Sequence, residues 1–213
     1  GKIEIICGSM FSGKTEELIK RIKKSGKKFI VFKPRTDTRN KTNKIVSHDN
    51  SKINAKTISE SDDILKYSEN YELIAIDEAQ FFDNNIIDIC NNLANSGTEI
   101  IIAGLDMDYS GKPFGPMPYL MAIADDVKKL HAKCSETGEP AVYSYRKTEN
   151  NSTIEIGDKD KYEPLSRKAY IQKNNWCKKP KPREPIKGNK YNFIRNFKII
   201  FIFNQKKVYS LKF

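Results

Sequence analysis

The sequence predicts an α/β fold, a parallel sheet with helices on both faces, and three observations carry that expectation. Short runs that are apolar along their whole length recur at residues 3–7, 28–33, 73–77 and 99–105, as strands buried on both faces do. Segments with helical spacing lie between them, at residues 16–25, around Ile64-Leu65, and at 86–96. Regular alternation of the two implies crossover connections and parallel neighbours. Taken in order, Ile3-Glu4-Ile5-Ile6-Cys7 leads into a helix whose inward face is Leu18, Ile19 and Ile22. After the second strand, polar residues enclose two β-prone runs, Lys44-Ile45-Val46 and residues 53–58, which read as a β-hairpin insertion between Arg39 and Ile58. The third and fourth strands follow, then a helix-like stretch at 117–124, and from Val127 a smaller lobe of strands and loops. Ligands of such sheets bind beyond the C-terminal strand ends. Gly8, Asp77 and Asp106 all fall there.

Gly8-Ser9-Met10-Phe11-Ser12-Gly13-Lys14-Thr15 joins the first strand to the first helix. This spacing in strand–loop–helix context is that of a phosphate-cradling P-loop. Gly8 and Gly13 permit backbone angles that turn amide N–H groups toward phosphate oxygens, and the helix N-terminus adds its dipole. Lys14 is placed to reach β- and γ-phosphates, and the Thr15 hydroxyl to meet Mg²⁺. Downstream, Leu73-Ile74-Ala75-Ile76 ends in Asp77-Glu78, an apolar strand with a carboxylate for the metal side at its C-terminal end. Alternation along a strand sends Asp77 and Glu78 to different spaces, the second open to an acceptor. An isolated Asp-Glu pair would read as solvated acids. Coupled to a P-loop upstream, it reads as the second half of an ATP–Mg²⁺ site.

Together, Met10-Phe11-Ser12-Gly13-Lys14-Thr15 and Ile76-Asp77-Glu78-Ala79-Gln80-Phe81-Phe82 resemble the thymidine kinases of the cellular and bacterial type II group. Further matches fall in order: Lys33-Pro34-Arg35-Thr36-Asp37-Thr38-Arg39, Gly104-Leu105-Asp106, Lys112-Pro113-Phe114-Gly115, then Cys134, Gly138, Ala141, Tyr143, Ser144, Arg146, Ile156-Gly157 and Tyr162. The resemblance spans residues 1–172. It implies a RecA-like P-loop domain over 1–126, a capping (lasso) lobe over 127–172, and transfer of the ATP γ-phosphate to the 5′-hydroxyl of thymidine or deoxyuridine. The product would be dTMP, made in pyrimidine deoxynucleotide salvage by a cytoplasmic homotetramer. Glu78 is then the general base, Asp77 and Thr15 are associated with Mg²⁺, and Asp37 and Arg39 lie near the phosphates. Met10, Phe81, Tyr109 and Phe114 would pack around the pyrimidine, although each alone reads as core. Ser144, Ile156, Gly157 and Tyr162 would belong to the loop that wraps the base.

One departure concerns metal. The family's capping lobe carries a structural zinc on two Cys-x-x-Cys-like pairs, and the matching positions here are Cys134, Thr137, Ser166 and Ala169. One thiolate where four ligands are needed makes no closed zinc site. His131 and Cys177 lie nearby in sequence, but with a hydroxyl they would still form a poor one. Zinc is therefore expected to be absent.

Composition bounds the rest. The chain has 213 residues, four scattered cysteines and no apolar run of membrane-spanning length, which suits a reduced intracellular protein. The net charge of +11 is unevenly placed. Residues 167–213 hold 14 Lys and Arg against one acid, Glu184, while the remaining 24 basic and 26 acidic residues nearly cancel. The excess thus sits in a tail, 173–213, that reads as a disordered basic extension with at most non-specific affinity for nucleic acid. Its apolar run at 199–203 has no physical account. Two rivals stand beside the kinase: a RecA-like ATPase in which Glu78 activates water, and a catalytically weakened nucleotide-binding protein.

Overall fold

A computed structural model describes residues 1–36, 44–46, 52–148, 157 and 159–174. In chain order, β1 (Lys2–Gly8) leads to α1 (Lys14–Ser25), β2 (Phe29–Pro34), β3 (Lys44–Val46), β4 (Lys52–Asn54) and β5 (Lys56–Ile58). A 3-10 turn (Ser61–Ile64) and α2 (Leu65–Ser68) precede β6 (Leu73–Ile76), and a second 3-10 turn (Ala79–Phe81) precedes α3 (Asn85–Asn95). Then come β7 (Glu99–Gly104), α4 (Met117–Ile123), β8 (Asp126–Leu130), β9 (Ala132–Lys133), β10 (Pro140–Ala141), β11 (Tyr143–Arg146), β12 (Tyr162–Leu165) and α5 (Arg167–Lys173). Gly1–Cys177 forms one compact unit.

Six strands make one sheet in the order β5-β2-β6-β7-β1-β8, every pairing parallel. The apolar runs explain it residue by residue. Odd-numbered residues of β1 (Ile3, Ile5, Cys7) and even-numbered residues of β2, β6 and β7 (Phe32, Ile74, Ile76, Ile100, Ile102) meet α3 and α4 on one face. Their alternates (Ile6, Val31, Leu73, Ala75, Ile101, Ala103) meet Leu18, Ile19 and Ile22 of α1 on the other. A strand buried on both sides has no polar positions to alternate. The α/β class with helices on both faces is therefore the architecture of the chain.

Helix α1 carries Glu16 and Glu17 in its first turn and Lys23 and Lys24 in its last, which suits the helix dipole, and stops where Gly26 turns left-handed at φ 66°. The expected hairpin is present as the β3–β4 pair, Ile45 opposite Ile53. Residues 56–58, read as part of it, instead form β5 and pair with β2 at the sheet edge. Val127 was expected to open the second lobe, yet β8 pairs with β1 and closes the other edge of the main sheet. Its sequence, Asp126-Val127-Lys128-Lys129-Leu130, lacks the apolar run of a central strand because an edge strand faces solvent. The lobe itself comprises the pairs β9–β10 and β11–β12, with α5 packed on a core of Ala132, Cys134, Ala141, Tyr143, Leu165, Ala169 and Tyr170. Among the described residues, no helix is long and apolar enough to cross a membrane. Asp37, Arg39, Ile156, Cys177 and the run at 199–203 lie outside the described residues.

Ile102 is fully buried in the central strand between β1 and β6. Ile102→Ala should lower unfolding free energy by about 2–5 kcal/mol, the range for deleting a buried branched side chain, measured by urea denaturation at constant m-value.

Candidate active site

The loop after β1 is shaped by three left-handed residues, Gly8 (φ 138°), Phe11 (φ 64°) and Gly13 (φ 83°). A Cβ on Gly8 would lie 2.1 Å from the Leu130 carbonyl oxygen, so only glycine lets β1 leave the sheet this close to the end of β8. Lys14 is buried, and its Nζ donates to the Ser9 carbonyl at 2.8 Å, which holds the ammonium across the loop. Two hydrogen bonds tie the loop to the lobe: Ser9 Oγ donates to the Ala141 carbonyl at 3.3 Å, and Met10 N to Ser144 Oγ at 2.9 Å. Ser144, expected at the nucleoside, braces the P-loop here.

Strand β7 separates β1 from β6, yet Thr15 Oγ1 donates to Asp77 Oδ2 at 3.2 Å. These are hard oxygen donors beside a loop of backbone N–H groups, a set that fits Mg²⁺ and a triphosphate. Asp77 is buried, and its other oxygen accepts from Glu78 N at 3.0 Å. Glu78 diverges from Asp77 for a different reason than strand alternation. The strand ends at Ile76, and Glu78 turns left-handed (φ 53°, ψ 42°) ahead of the second 3-10 turn. Gln80 then completes the arrangement, its Nε2 donating to Glu78 Oε2 at 2.6 Å while its Oε1 accepts from Leu105 N at 2.9 Å. Beyond β7, the Asp106 carboxylate pairs with Lys129 Nζ at 2.5 Å.

The aromatic residues expected around a pyrimidine fall into two groups. Phe81 and Phe114 meet edge to face, centroids 5.6 Å apart. Tyr109 and Tyr162 are joined through Arg146, whose guanidinium lies 3.6 Å from the Tyr109 ring centroid and donates through Nε and Nη2 to the Tyr162 hydroxyl at 3.2 and 3.1 Å. Tyr170 adds a clamp on the same loop, its hydroxyl donating to the Tyr109 carbonyl at 2.8 Å while its ring stacks on Tyr143 at 4.1 Å. Burial, reinforced by the Asp108 charge, pushes that phenol up to about 12 and keeps it a donor. Gly157 lies against Lys161, the nearest side chain to where its Cβ would be.

Gln80, Arg146 and Tyr170 were not among the expected site residues. For Arg146 a signal existed: period two in Tyr143-Ser144-Tyr145-Arg146 puts Arg146 on the same face as Ser144. Gln80 stands in the family-like run at 76–82, but its partners were not legible, because they depend on a left-handed turn.

The four positions matching the family's zinc ligands converge, as their hydrogen bonds show. Thr137 N donates to Cys134 Sγ at 3.5 Å, Thr137 Oγ1 lies 3.5 Å from Ser166 Oγ, and Ser166 Oγ accepts from Ala169 N at 3.4 Å, capping α5. One thiol, two hydroxyls and a methyl group do not fit Zn²⁺. Among the described residues no cluster of three His, Cys, Asp or Glu could hold a metal ion. Burial works to raise the Cys134 thiol. The Thr137 hydroxyl and the N–H groups of Ser166, Thr137 and Glu136 outweigh it and bring the thiol down to about 6. Burial, with the Asp106 charge, outweighs Lys129 and Lys14 and pushes Cys7 up to about 11, and burial by itself pushes Cys90 up to about 12.

A family model described as thymidine kinase matches residues 1–170. A thymidine kinase of Bacteroides fragilis (strain YCH46) is 50% identical over 173 residues, 80% of this chain and 87% of the relative. That of Bacteroides thetaiotaomicron is 49% identical over 175 residues, 81% and 88% of the two chains. That of Rhodothermus sp. (strain ITI 518) is 44% identical over 173 residues, 80% and 81%.

Elemental analysis of pure protein should give well under one zinc per chain, and a chelator should leave the melting temperature unchanged. A stoichiometric zinc that survives dialysis would refute this. The Cys134 thiol is lowered from an ordinary value near 9, so its contribution to stability is complete above that pH and lost as pH falls through about 6. Cys134→Ala should flatten this part of the stability–pH curve.

Proposed function

The chain belongs to the thymidine kinase family, and we propose that it transfers the γ-phosphoryl group of ATP to the 5′-hydroxyl of thymidine or deoxyuridine. The observation that carries this is the Thr15–Asp77 hydrogen bond with Glu78 next in sequence. It supports the reading of a phosphate-binding loop, a metal-side carboxylate and a second carboxylate meeting at one sheet edge.

In this reading the amides of residues 8–15 and the Lys14 ammonium hold the triphosphate and take up charge that spreads over the transferred group. Thr15 and Asp77 would hold Mg²⁺, which when bound neutralises phosphate oxygens. Asp37 and Arg39 supply a further cation and its partner at the phosphates. The Glu78 carboxylate accepts the proton of the 5′-hydroxyl as that oxygen attacks. A loose transition state asks little more of the nucleophile than position. The Phe81–Phe114 pair, with Met10, receives the apolar face of the pyrimidine. Tyr109 and Tyr162, bridged by Arg146, belong to the same nucleoside site in this reading, and the resemblance alone adds Ser144, Ile156 and Gly157 as the loop that wraps the base. The resemblance to the family alone carries the proposals of a homotetramer and a cytoplasmic setting, and light scattering in solution tests the first.

Incubation with ATP and Mg²⁺ should yield thymidine 5′-monophosphate only when thymidine is present. ADP released at the same rate without nucleoside would point to an ATPase instead. Glu78→Gln should keep nucleotide affinity and lower turnover by roughly 10²–10⁴-fold, as loss of a general base does. Ending the chain after Asn174 should leave thymidine phosphorylation largely intact, since every proposed site residue precedes it. Loss of activity or assembly in the shortened chain would assign residues 175–213 a part in the enzyme.

A further inference from the structure

We propose that Gln80 is the positioning residue for the Glu78 carboxylate, setting turnover without binding nucleotide or nucleoside. This rests on the reading of Glu78 as general base. Glutamate has three side-chain torsions, and a base is effective only if its oxygen stays within hydrogen-bond reach of the attacking hydroxyl. The backbone of Glu78 is held in a left-handed turn. Its carboxylate has a second fixed point in the Gln80 amide, 2.6 Å from Oε2.

The direction of that amide is dictated by the fold. The backbone N–H of Leu105 can only donate, so the Gln80 atom facing it must be oxygen, and Nε2 is left facing Glu78. Flipping the amide would set two donors against each other and an oxygen against a carboxylate. Packing closes the remaining freedom. Gln80 is 2% exposed. A Cβ on Gly104 would lie 2.9 Å from Gln80 Oε1, and one on Gly115, itself left-handed at φ 51°, would lie 2.3 Å from the Gln80 carbonyl oxygen. Two glycines therefore admit Gln80 between the end of β7 and the loop that carries Phe114. The acid after β6 is thereby tied to the terminus of β7.

The test uses the full chain and steady-state kinetics with ATP–Mg²⁺ and thymidine. Gln80→Met keeps the volume and removes both hydrogen bonds. It should lower kcat by about 10²-fold, the scale of an ångström of misplacement, with KM for both substrates within threefold and the melting temperature within a few degrees. In a Glu78→Gln background the same change should cost nothing further, because the group it positions is gone. The proposal is overturned if Gln80→Met keeps kcat within threefold, if KM rises while kcat holds, or if the two losses multiply. Should Gln80→Met fail to fold, Gln80→Glu serves instead. It retains the acceptor for Leu105 N and sets a carboxylate against Glu78, and unchanged turnover there overturns the proposal equally. If Glu78→Gln itself retains full turnover, the general-base reading fails, and the positioning role with it. A slow Glu78→Gln beside a fast Gln80→Met would sink the positioning role alone.

Discussion

In the parallel ladders joining β1 to β7 and β7 to β6, Cys7 stands opposite Gly104 and Ile76 stands opposite Ile102. Three neighbouring strands therefore finish within about three residues of one another, and the candidate site is built on that edge. The P-loop leaves β1, the acids leave β6, and Gly104-Leu105-Asp106 leaves β7. A bond such as that between Thr15 and Asp77, 62 residues apart, forms because the strands beneath them are in register. A slip by one residue would exchange the faces of every side chain on the strand, and burial on both faces makes such a slip costly throughout the sheet.

The small lobe depends on that edge in turn. Ser9 and Met10 bond to Ala141 and Ser144, so the P-loop and β11 brace each other. On the other side, the Tyr109 loop is held by Tyr170 below its carbonyl and Arg146 across its ring. A buried guanidinium against two aromatic rings combines cation–π attraction with directed hydrogen bonds. At the positions where the resemblance to the family implies metal ligands, this chain brings together a thiol, two hydroxyls and backbone N–H groups in one turn.

The strands that lie inside the sheet, the helices α1, α3 and α4, the P-loop and the acid pair were legible in the sequence. Each is a local pattern: an unbroken apolar run, a 3.6-residue period, or a glycine spacing that admits one backbone path. The strand character of β5 was legible but its place at the sheet edge was not, and β8 was not separable from the lobe that follows it, since exposure removes the apolar run and which sheet a short polar strand joins depends on its neighbours. The divergence of Asp77 from Glu78 was expected, but as strand alternation. A left-handed glutamate produces it, and no local preference announces such a residue.

Composition and order of residues by themselves determined that this chain builds a doubly covered parallel sheet with a phosphate loop and two acids at its carboxyl edge. Periodicity and motif spacing are properties of the chain read along its length. Only the tertiary structure decided which groups meet across it: Gln80 between Glu78 and Leu105, Arg146 between Tyr109 and Tyr162, Cys134 among the N–H groups of Thr137 and Ser166. Those meetings join residues from separate strands and loops, and their energies depend on burial and direction, which exist only once the sheet has closed.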